Sequence, residues 1–88
     1  MAGGIIIFDW DDTLLPTSWV YEKDFLRREP TPEEWSELKK YEDCVLSLLN
    51  ISKQKAEVHI VTNAEAGWVE LSGKRFMPRV LKMNLPIL

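Results

Sequence analysis

The chain opens with an apolar run that ends abruptly in acidic residues. Residues 5–8 are three isoleucines and a phenylalanine, with no charge among them. Such a run predicts a short strand that is buried on both faces, as parallel sheets require. Asp9, Asp11 and Asp12 follow within four positions. Negative charge of this density at the end of an apolar strand is costly unless a cation or hydrogen-bond donors meet it.

A long amphipathic helix is predicted in the middle of the chain. Before it, residues 11–18 predict a tight turn that contains Pro16, and residues 19–28 predict a loop or short hairpin. Thr31 and Glu34 form a capping box around Pro32, so a helix begins here and runs to about residue 55. Its apolar positions recur mostly every three or four residues: Trp35, Leu38, Tyr41, Val45, Leu48, Leu49 and Ile51. Charged residues are expected on the other face: Glu37, Lys39, Lys40, Glu42 and Asp43.

A second strand and a second helix follow. Residues 58–61 are another buried-type apolar run, and Thr62 with Glu65 forms a second capping box, which predicts a helix that begins at Thr62 and Asn63. Pro78 should kink or restart this helix, and residues 85–88 predict the start of a third strand. Three apolar residues of the second helix are expected to face the sheet: Val69, Phe76 and Val80.

The order of these elements predicts an α/β domain with a parallel sheet and right-handed crossovers. The polar residues at 9–13 and at 62–63 each follow the carboxyl end of a strand. Open α/β sheets bind ligands at that edge. We therefore expect one functional site, formed by both clusters, in a single domain that spans residues 1–88.

Composition and charge exclude several classes of protein. The net charge is −3, with 12 acids against 7 bases in residues 1–64 and 2 against 4 in residues 65–88, so no broad basic face for nucleic acid is expected. A lone cysteine, Cys44, excludes an internal disulfide and fits a reducing compartment. Neither a signal peptide nor a membrane-spanning run is predicted, so the expected location is cytoplasmic, without a membrane partner.

The acidic cluster suits phosphoryl transfer. A carboxylate such as Asp9 can attack phosphorus and carry an aspartyl-phosphate. A second carboxyl two residues on, Asp11, can protonate the leaving oxygen and later activate water. Mg²⁺ is the natural cation to offset the repulsion between these acids and an anionic substrate. The hydroxyl of Thr62, at the end of the neighbouring strand, can hold phosphate oxygens.

Two segments resemble motifs of the haloacid dehalogenase-like (HAD) superfamily. Residues 8–14, Phe-Asp-Trp-Asp-Asp-Thr-Leu, resemble its first motif, Asp-x-Asp-x-Thr. Residues 58–63, Val-His-Ile-Val-Thr-Asn, resemble the second, an apolar strand that ends in Thr or Ser. Residues 62–71 are also similar to uncharacterised HAD-like proteins of microbial eukaryotes. The resemblance implies a Rossmann-like three-layer sandwich with a short parallel sheet.

The resemblance also implies roles for individual residues. Asp9 would be the nucleophile and a ligand of Mg²⁺, and Asp11 would be the general acid/base with its backbone carbonyl on the metal. Thr62 and Asn63 would bind the phosphate of a phosphorylated substrate, assisted by backbone amides around Trp10 and Asp11. Residues 14–30 would form the segment that opens and closes over the site, and a large inserted cap is not expected.

The chain departs from the family pattern after the second motif. The family uses a lysine from a third motif and one or two acids from a fourth, on later strands, and the sequence ends before either. Lys74 and Lys82 lie in or beside the second predicted helix, which is not the context of the family lysine. We therefore expect an incomplete domain, truncated after the second helix or third strand, with severely reduced metal affinity and turnover. Its unfinished sheet should expose an apolar edge.

Three functional hypotheses follow. The first is a Mg²⁺-dependent phosphohydrolase or phosphotransferase that acts through an aspartyl-phosphate. The second is a non-catalytic HAD-like module that binds phosphate or a partner and self-associates through the exposed sheet edge. The third, a receiver domain of the response-regulator kind, fits worse because receivers lack the Asp-x-Asp-x-Thr spacing and need more βα repeats.

Some of these side chains also have a purely structural explanation. Aspartates are common in turns, and Asp12 in particular is expected to be structural. Thr62 and Asn63 are good helix caps, a role that is compatible with phosphate binding. Three aromatic residues near the acidic loop are expected either to line a substrate entrance or to pack against the segment above it: Trp10, Trp19 and Tyr21.

Overall fold

The two apolar runs pair as neighbouring parallel strands. The computed structural model describes residues 3–88, which form an α/β domain with a two-stranded parallel sheet and four helices. The elements, in chain order, are β1 (Ile5–Asp9), α1 (Thr17–Glu22), α2 (Pro32–Lys53), β2 (Glu57–Val61), α3 (Ala66–Phe76) and α4 (Pro78–Leu81). None of the helices in this part of the chain combines the length and apolar composition needed to span a bilayer.

The register of the sheet aligns the ends of the two strands. Ile5 lies opposite Glu57 and Asp9 opposite Val61, so both polar clusters leave the sheet at the same level. On the other edge of β2, Ile60 forms a single parallel bridge with Ile87. This bridge confirms that the backbone near residue 87 begins to pair where a third strand was predicted.

Strand β1 is not buried on both faces, which corrects the sequence-based prediction. Ile5 is 56% exposed and Ile7 is 54% exposed, whereas Val58 and Ile60 of β2 are buried. Because side chains alternate across a strand, the buried residues of β2 and the half-buried Phe8 share the face that the helices cover. Within residues 3–88 the opposite face of β1 is uncovered, and the third layer of the expected sandwich stays a prediction.

The outer edge of β1 has no partner strand among the described residues. A free strand edge presents unpaired backbone donors and acceptors, and apolar side chains beside it favour pairing with another chain. The expected self-association through this edge stays a prediction.

The segment after the acidic turn is helical at its start, so the prediction of a loop or hairpin over residues 19–28 is wrong for residues 19–22. Helix α1 covers Thr17–Glu22, and turns follow it. Asp12 supports this helix from the preceding turn, because its carboxylate accepts hydrogen bonds from the Ser18 backbone N–H at 2.7 Å and hydroxyl at 2.8 Å. Asp12 adopts a positive φ of 58°, a conformation that aspartate tolerates better than most residues.

Helix α2 confirms the predicted capping box. The Glu34 N–H donates to Thr31 Oγ1 at 3.2 Å, and the Thr31 N–H donates to Glu34 Oε1 at 2.9 Å. The polar face was assigned wrongly at one position, since Glu42 is only 3% exposed. It contacts the start of α4 through a hydrogen bond from the Arg79 backbone N–H at 2.7 Å. The helical period of a sequence does not indicate a hydrogen bond between residues that are far apart in the chain.

The predicted capping box at the start of α3 is wrong. The helix begins at Ala66 with Glu65 as N-cap, and no side chain caps it. The Thr62 hydroxyl is engaged elsewhere, as described below. The predicted restart at Pro78 is confirmed, because α4 begins there. The three apolar residues expected to face inward are all buried: Val69, Phe76 and Val80.

The hydrophobic core extends directly beneath the acidic turn. Its buried members come from the turn, from α1 and from all the later elements: Trp10, Leu14, Leu15, Val20, Phe25, Leu38, Val45, Leu49, Val58, Ile60, Val69, Phe76, Met77 and Val80. Leu14 and Leu15 are completely buried. The turn that carries the three aspartates is therefore anchored by packing on both sides of its polar residues.

Candidate active site

The ends of β1 and β2 enclose a small cavity. Its volume is about 90 Å³. Six residues at the ends of the two strands line it: Asp9, Trp10, Asp11, Val61, Thr62 and Asn63. All the residues that the sequence assigned to catalysis, metal binding or phosphate binding therefore lie together. The arrangement follows from the parallel register, which places Asp9 beside Val61.

Larger cavities lie elsewhere on the molecule. One of about 420 Å³ is bordered by Glu70, Lys74 and the C-terminal segment, and one of about 410 Å³ lies between α2, α3 and the start of α4. Neither brings two aspartates and a hydroxyl together. The small cavity at the sheet edge is the better candidate because reactive groups converge there.

Asp11 is held by three side-chain donors. The Thr17 hydroxyl donates to Oδ1 at 2.9 Å, and the Trp68 indole N–H donates to the same oxygen at 2.8 Å. The Thr62 hydroxyl donates to Oδ2 at 2.9 Å. These donors belong to α1, α3 and the end of β2, so one half-buried carboxylate joins three elements of the fold. All three donors are electrically neutral.

Asp9 differs sharply from Asp11. It is the last residue of β1 and it is exposed. No hydrogen bond or ion pair from the described residues reaches its carboxylate. An accessible carboxylate next to a cavity can serve as a nucleophile or as a cation ligand.

Trp10 lies between the two aspartates but offers no hydrogen-bond donor to the cavity. Its indole is 1% exposed and donates to Ser72 Oγ at 2.9 Å inside the core. Its backbone N–H donates to the Val61 carbonyl at 2.9 Å. Both N–H groups of Trp10 are thus used within the protein, and the expected contact between this residue and a phosphate is not supported.

Thr62 and Asn63 border the cavity in different ways. The Thr62 hydroxyl donates to Asp11 and accepts a hydrogen bond from the Ala64 backbone N–H at 3.1 Å. A hydroxyl has one proton, so Thr62 can donate to a phosphate oxygen only if Asp11 gives up this bond. Asn63 is exposed beside it and can reach a ligand without such an exchange.

The turn between the two aspartates and α1 is fixed by Asp12 and Tyr41. The hydrogen bonds from Ser18 lower the pKa of the Asp12 carboxyl and tie this side chain to the start of α1. The Tyr41 hydroxyl of α2 donates to the Thr13 carbonyl at 3.0 Å, and burial raises the pKa of this phenol. The position of the acidic turn is therefore set by contacts from both α1 and α2.

The cavity is a minimal match for a divalent cation. Among residues 3–88 no group of three or more His, Cys, Asp or Glu side chains could hold a metal. Asp9 can offer its carboxylate and Asp11 its backbone carbonyl, which is enough for Mg²⁺ because this ion usually keeps several waters and binds one or two carboxylates. The residues present fit Mg²⁺, but only as a weak site.

No described lysine or arginine lines the cavity at the sheet edge. Lys74 borders a different cavity, and Lys82 follows α4. These positions agree with the expectation that neither lysine offsets the charge of the two aspartates. The site is therefore strongly acidic.

Sequence reasoning missed Thr17 and Trp68. Both touch Asp11, from 6 and 57 residues away along the chain. Trp68 also stacks on Tyr21, with ring centroids 6.1 Å apart and planes inclined by 7°. For the contact between Trp68 and Asp11, the sequence offered one signal: an aromatic residue with a polar atom that follows closely after the end of a strand.

The chain matches no protein-family model, no curated protein and no solved structure. The geometry of the side chains at the sheet edge is therefore the basis for a functional assignment.

Proposed function

We propose that this chain is a Mg²⁺-dependent phosphohydrolase or phosphotransferase of the HAD-like type that acts through an aspartyl-phosphate. The observation that carries the proposal is the 2.9 Å hydrogen bond between Thr62 Oγ1 and Asp11 Oδ2, next to a cavity that Asp9 also lines. This contact unites the two motifs, which lie 51 residues apart in the sequence. A nucleophile, an acid/base and a phosphate-binding hydroxyl then share one small space.

The proposed reaction has two steps. A carboxylate oxygen of Asp9 attacks phosphorus, the bond between phosphorus and the leaving oxygen breaks, and Asp11 donates its proton to that oxygen. In the second step Asp11 takes a proton from water while the water oxygen attacks the aspartyl-phosphate. The bond between Asp9 and phosphorus then breaks, which releases phosphate and restores both acids. In a phosphotransferase an alcohol replaces the water.

Two groups of the chain would hold Mg²⁺, namely the Asp9 carboxylate and the Asp11 carbonyl. When bound, the ion would offset the negative charge of the acids and of the phosphate. The rest of the chemistry belongs to side chains: Asn63 is accessible to a phosphate oxygen, and Thr62 becomes so once it exchanges its bond with Asp11. Because no described cation lines the cavity, the proposed turnover is slow and depends strongly on Mg²⁺.

The fold supports the HAD-like assignment at the level of its topology. The first strand carries the acids, the adjacent parallel strand carries the threonine, and the connection includes one long helix, α2, and one short helix, α1. Helix α1 follows the acidic turn and reaches Asp11 through Thr17, which is the place of the segment proposed to cover the site. Thr17 and Ser18 of this helix bond to Asp11 and Asp12, which ties the segment to the acidic turn.

The second candidate function is a phosphate-binding module without turnover. It is favoured over catalysis by the engagement of Asp11 with three donors. Such a module would bind an anion through Mg²⁺ on Asp9, with no covalent step.

Replacement of the nucleophile tests the proposal. The 88-residue chain is incubated with p-nitrophenyl phosphate and Mg²⁺, and the acid-quenched protein is weighed by intact mass spectrometry. The unmodified chain is expected to release nitrophenol and to gain the mass of one phosphoryl group on Asp9. Asp9→Asn should abolish both signals and leave the circular dichroism spectrum unchanged. Asp24→Asn is the matched control, because Asp24 lies in an exposed turn, where its carboxylate pairs with Arg27 and is far along the chain from the site.

Three outcomes are distinguishable. Turnover that persists in Asp9→Asn contradicts an aspartyl-phosphate on this residue. Turnover and adduct lost only in Asp9→Asn support the proposal. A chain that binds inorganic phosphate in the presence of Mg²⁺, but shows neither turnover nor adduct, supports the non-catalytic module.

A further inference from the structure

Strand β1 uses only alternate residues to bond to β2. At one end, the Glu57 N–H donates to the Gly4 carbonyl at 3.3 Å. At the other end, the Trp10 N–H donates to the Val61 carbonyl at 2.9 Å. Because the backbone groups of successive residues in a strand point to opposite edges, the even-numbered residues of β1 face β2 and the odd-numbered residues face away from it.

Three residues of β1 therefore direct their backbone N–H and C=O groups to the outer edge of the sheet: Ile5, Ile7 and Asp9. This edge has no partner strand within residues 3–88, and no hydrogen bond from that part of the chain reaches these groups. The side chains of the same three residues are exposed on the face that the helices leave uncovered. Each copy thus offers three donors and three acceptors beside two exposed isoleucines.

The strand lacks the features by which proteins discourage pairing at a sheet edge. Those features are charged residues, proline and bulges. Residues 5–8 contain neither charge nor proline, and the register with β2 runs through all five residues without a bulge. A further strand that is also uncharged is therefore the partner that this edge fits.

Strand β1 is itself such a partner. Two copies that run antiparallel about a two-fold axis at Ile7 place Ile7 of one copy opposite Ile7 of the other. Ile5 of each copy then lies opposite Asp9 of the other. Every outward-facing donor meets an outward-facing acceptor, because antiparallel partners of this kind exchange both of their backbone hydrogen bonds.

Shifts of the two-fold axis by one residue satisfy fewer of these groups. Gly4 has a positive φ of 95°, outside the extended region, so regular pairing ends before it. An axis at residue 6 would leave Asp9 opposite Gly3, beyond that point. An axis at residue 8 would bring the two Asp9 residues from about 13 Å to about 7 Å apart along the strands, within reach of charge repulsion.

The opposite edge of the sheet does not extend the assembly. The Ile60 N–H donates to the Pro86 carbonyl at 2.8 Å, and the Leu88 N–H donates to the Ile60 carbonyl at 2.8 Å. The C-terminal segment therefore covers the outer edge of β2 at Ile60. A two-fold contact uses the same surface on both copies, so the assembly closes at two chains.

We propose that the outer edge of β1 is a self-association site, at which two copies of the chain form one continuous sheet with its two-fold axis at Ile7. The uncovered faces of the two copies lie on the same side of this sheet, so Ile5 and Ile7 of both chains form one apolar strip. The proposal does not depend on the chemistry of the cavity at the sheet edge.

Ile7→Lys tests the proposal by sedimentation equilibrium. The unmodified 88-residue chain is expected to reach twice the mass of one chain in a dilution series from about 1 mM to about 1 µM, the range of weak specific affinities. Ile7→Lys should keep the mass of one chain throughout, because it places two like charges opposite each other at the axis. Ile51→Lys is the matched control, since Ile51 of α2 is 55% exposed and Ile7 is 54% exposed.

Disulfide trapping tests the register and also covers the case in which Ile7→Lys does not fold. In a Cys44→Ser background, which removes the native cysteine, Ile7→Cys is incubated with oxidised glutathione. The two copies of residue 7 would lie about 5.5 Å apart between Cα atoms, within the range of a disulfide. Ile5→Cys is the control, because its two copies would lie about 13 Å apart and cannot be bridged.

Each outcome decides the proposal. A doubled mass that Ile7→Lys abolishes and Ile51→Lys keeps, with a covalent dimer from Ile7→Cys alone, supports it. The mass of one chain across the whole series contradicts it, and the edge then takes no second copy. A doubled mass that Ile51→Lys also abolishes, or that Ile7→Lys retains, assigns the contact to another surface. Equal bridging by Ile5→Cys contradicts the axis at Ile7.

Discussion

Glu42 and Asp11 each accept three hydrogen bonds, yet the groups that donate to them differ in charge. Glu42 of α2 is 3% exposed and accepts from the Arg79 backbone N–H at 2.7 Å, from Arg79 Nε at 2.9 Å and from the Val80 backbone N–H at 3.3 Å. Asp11 is half-buried and accepts from three neutral side chains of three different elements. The first carboxylate fastens α4 onto α2, and the second lies at the edge of the sheet.

The difference lies in where the negative charge is offset. At Glu42 a guanidinium and two backbone N–H groups meet the carboxylate, so its charge is matched within the fold. At Asp11 the donors orient the carboxylate without neutralising it, and one side of the group borders a cavity. A charge that the fold leaves unmatched at a cavity is available to a substrate or a cation. Loss of Glu42 should therefore damage stability, whereas loss of Asp11 should damage activity.

Asp11→Asn tests the stronger half of this comparison and has the largest expected effect. Turnover of ethyl phosphate with Mg²⁺ should fall about 10²- to 10⁴-fold, the usual contribution of general acid–base catalysis. The free energy of unfolding should change by less than about 1 kcal/mol, because the amide oxygen still accepts from Trp68 and Thr17 and its NH₂ group can donate to Thr62. Steady-state kinetics and urea denaturation of the same preparation give both numbers.

Asp43→Asn is the control for Asp11→Asn. Asp43 is exposed on α2 and pairs with Arg79, away from the sheet edge, so its loss should leave turnover unchanged. The comparison breaks down if Asp11→Asn keeps its turnover, or if it unfolds the chain as readily as a substitution of Glu42 does.

Glu42→Ala tests the other half. The free energy of unfolding should fall by about 2–3 kcal/mol, because two backbone N–H groups and a guanidinium lose a charged acceptor. The cost stays below the roughly 3–5 kcal/mol of a fully buried pair, since Arg79 is partly exposed and keeps its contact with Asp43. Urea denaturation followed by circular dichroism measures the change.

The control for Glu42→Ala is Glu37→Ala on the same helix. Glu37 is exposed, so its loss should stay within about 0.5 kcal/mol. Glu42→Ala should also keep its turnover per folded molecule. A stability equal to that of the control would show that the buried contacts of Glu42 contribute little.

Local signals predicted most of the secondary structure. The capping box of Thr31 and Glu34, the two apolar strands and the restart at Pro78 all depend on residues within a few positions of each other, and all were confirmed. The second capping box was wrong because the helix begins only at Ala66, while the Thr62 oxygen accepts from the Ala64 backbone N–H in the turn before it. A capping pattern indicates where a helix can begin, but a threonine side chain can form the same kind of hydrogen bond in a turn.

At the site, too, local features were predicted and contacts between distant residues were not. The sequence predicted which acids and which hydroxyl converge, because the carboxyl ends of parallel strands meet at one edge. It did not predict the contact between Trp68 and Asp11 or the burial of Glu42. The position of a residue in the helical period contains no information about a partner that is distant in the sequence. Nor did the composition of β1 indicate which of its faces the helices would leave exposed at Ile5 and Ile7.

A third carboxylate, Glu34, extends the comparison to the surface. It accepts hydrogen bonds from the Arg28 guanidinium at 3.0 Å on both oxygens and from the Thr31 backbone N–H at 2.9 Å. The Arg28 contact, followed by the Thr31 contact, lowers the pKa of Glu34 from 4.5 to about 2. Glu34 thus resembles Glu42 in having a cation as partner, but water screens its charge.

Glu34→Gln should have the smallest effect of the three substitutions. Because the folded-state pKa lies below the unfolded value, the stabilisation by Glu34 is present above pH 4.5 and is lost as the pH falls toward about 2. The unfolding midpoint of the unmodified chain should therefore drop across this range, and the drop should be shallower in Glu34→Gln. Urea titrations at several pH values measure the slope, with Glu33→Gln as control because Glu33 lies exposed in the same helical turn. Identical slopes in all three chains would mean that screened charge–charge contacts at this helix start contribute nothing, which would leave only buried carboxylates such as Glu42 as electrostatic anchors of the fold.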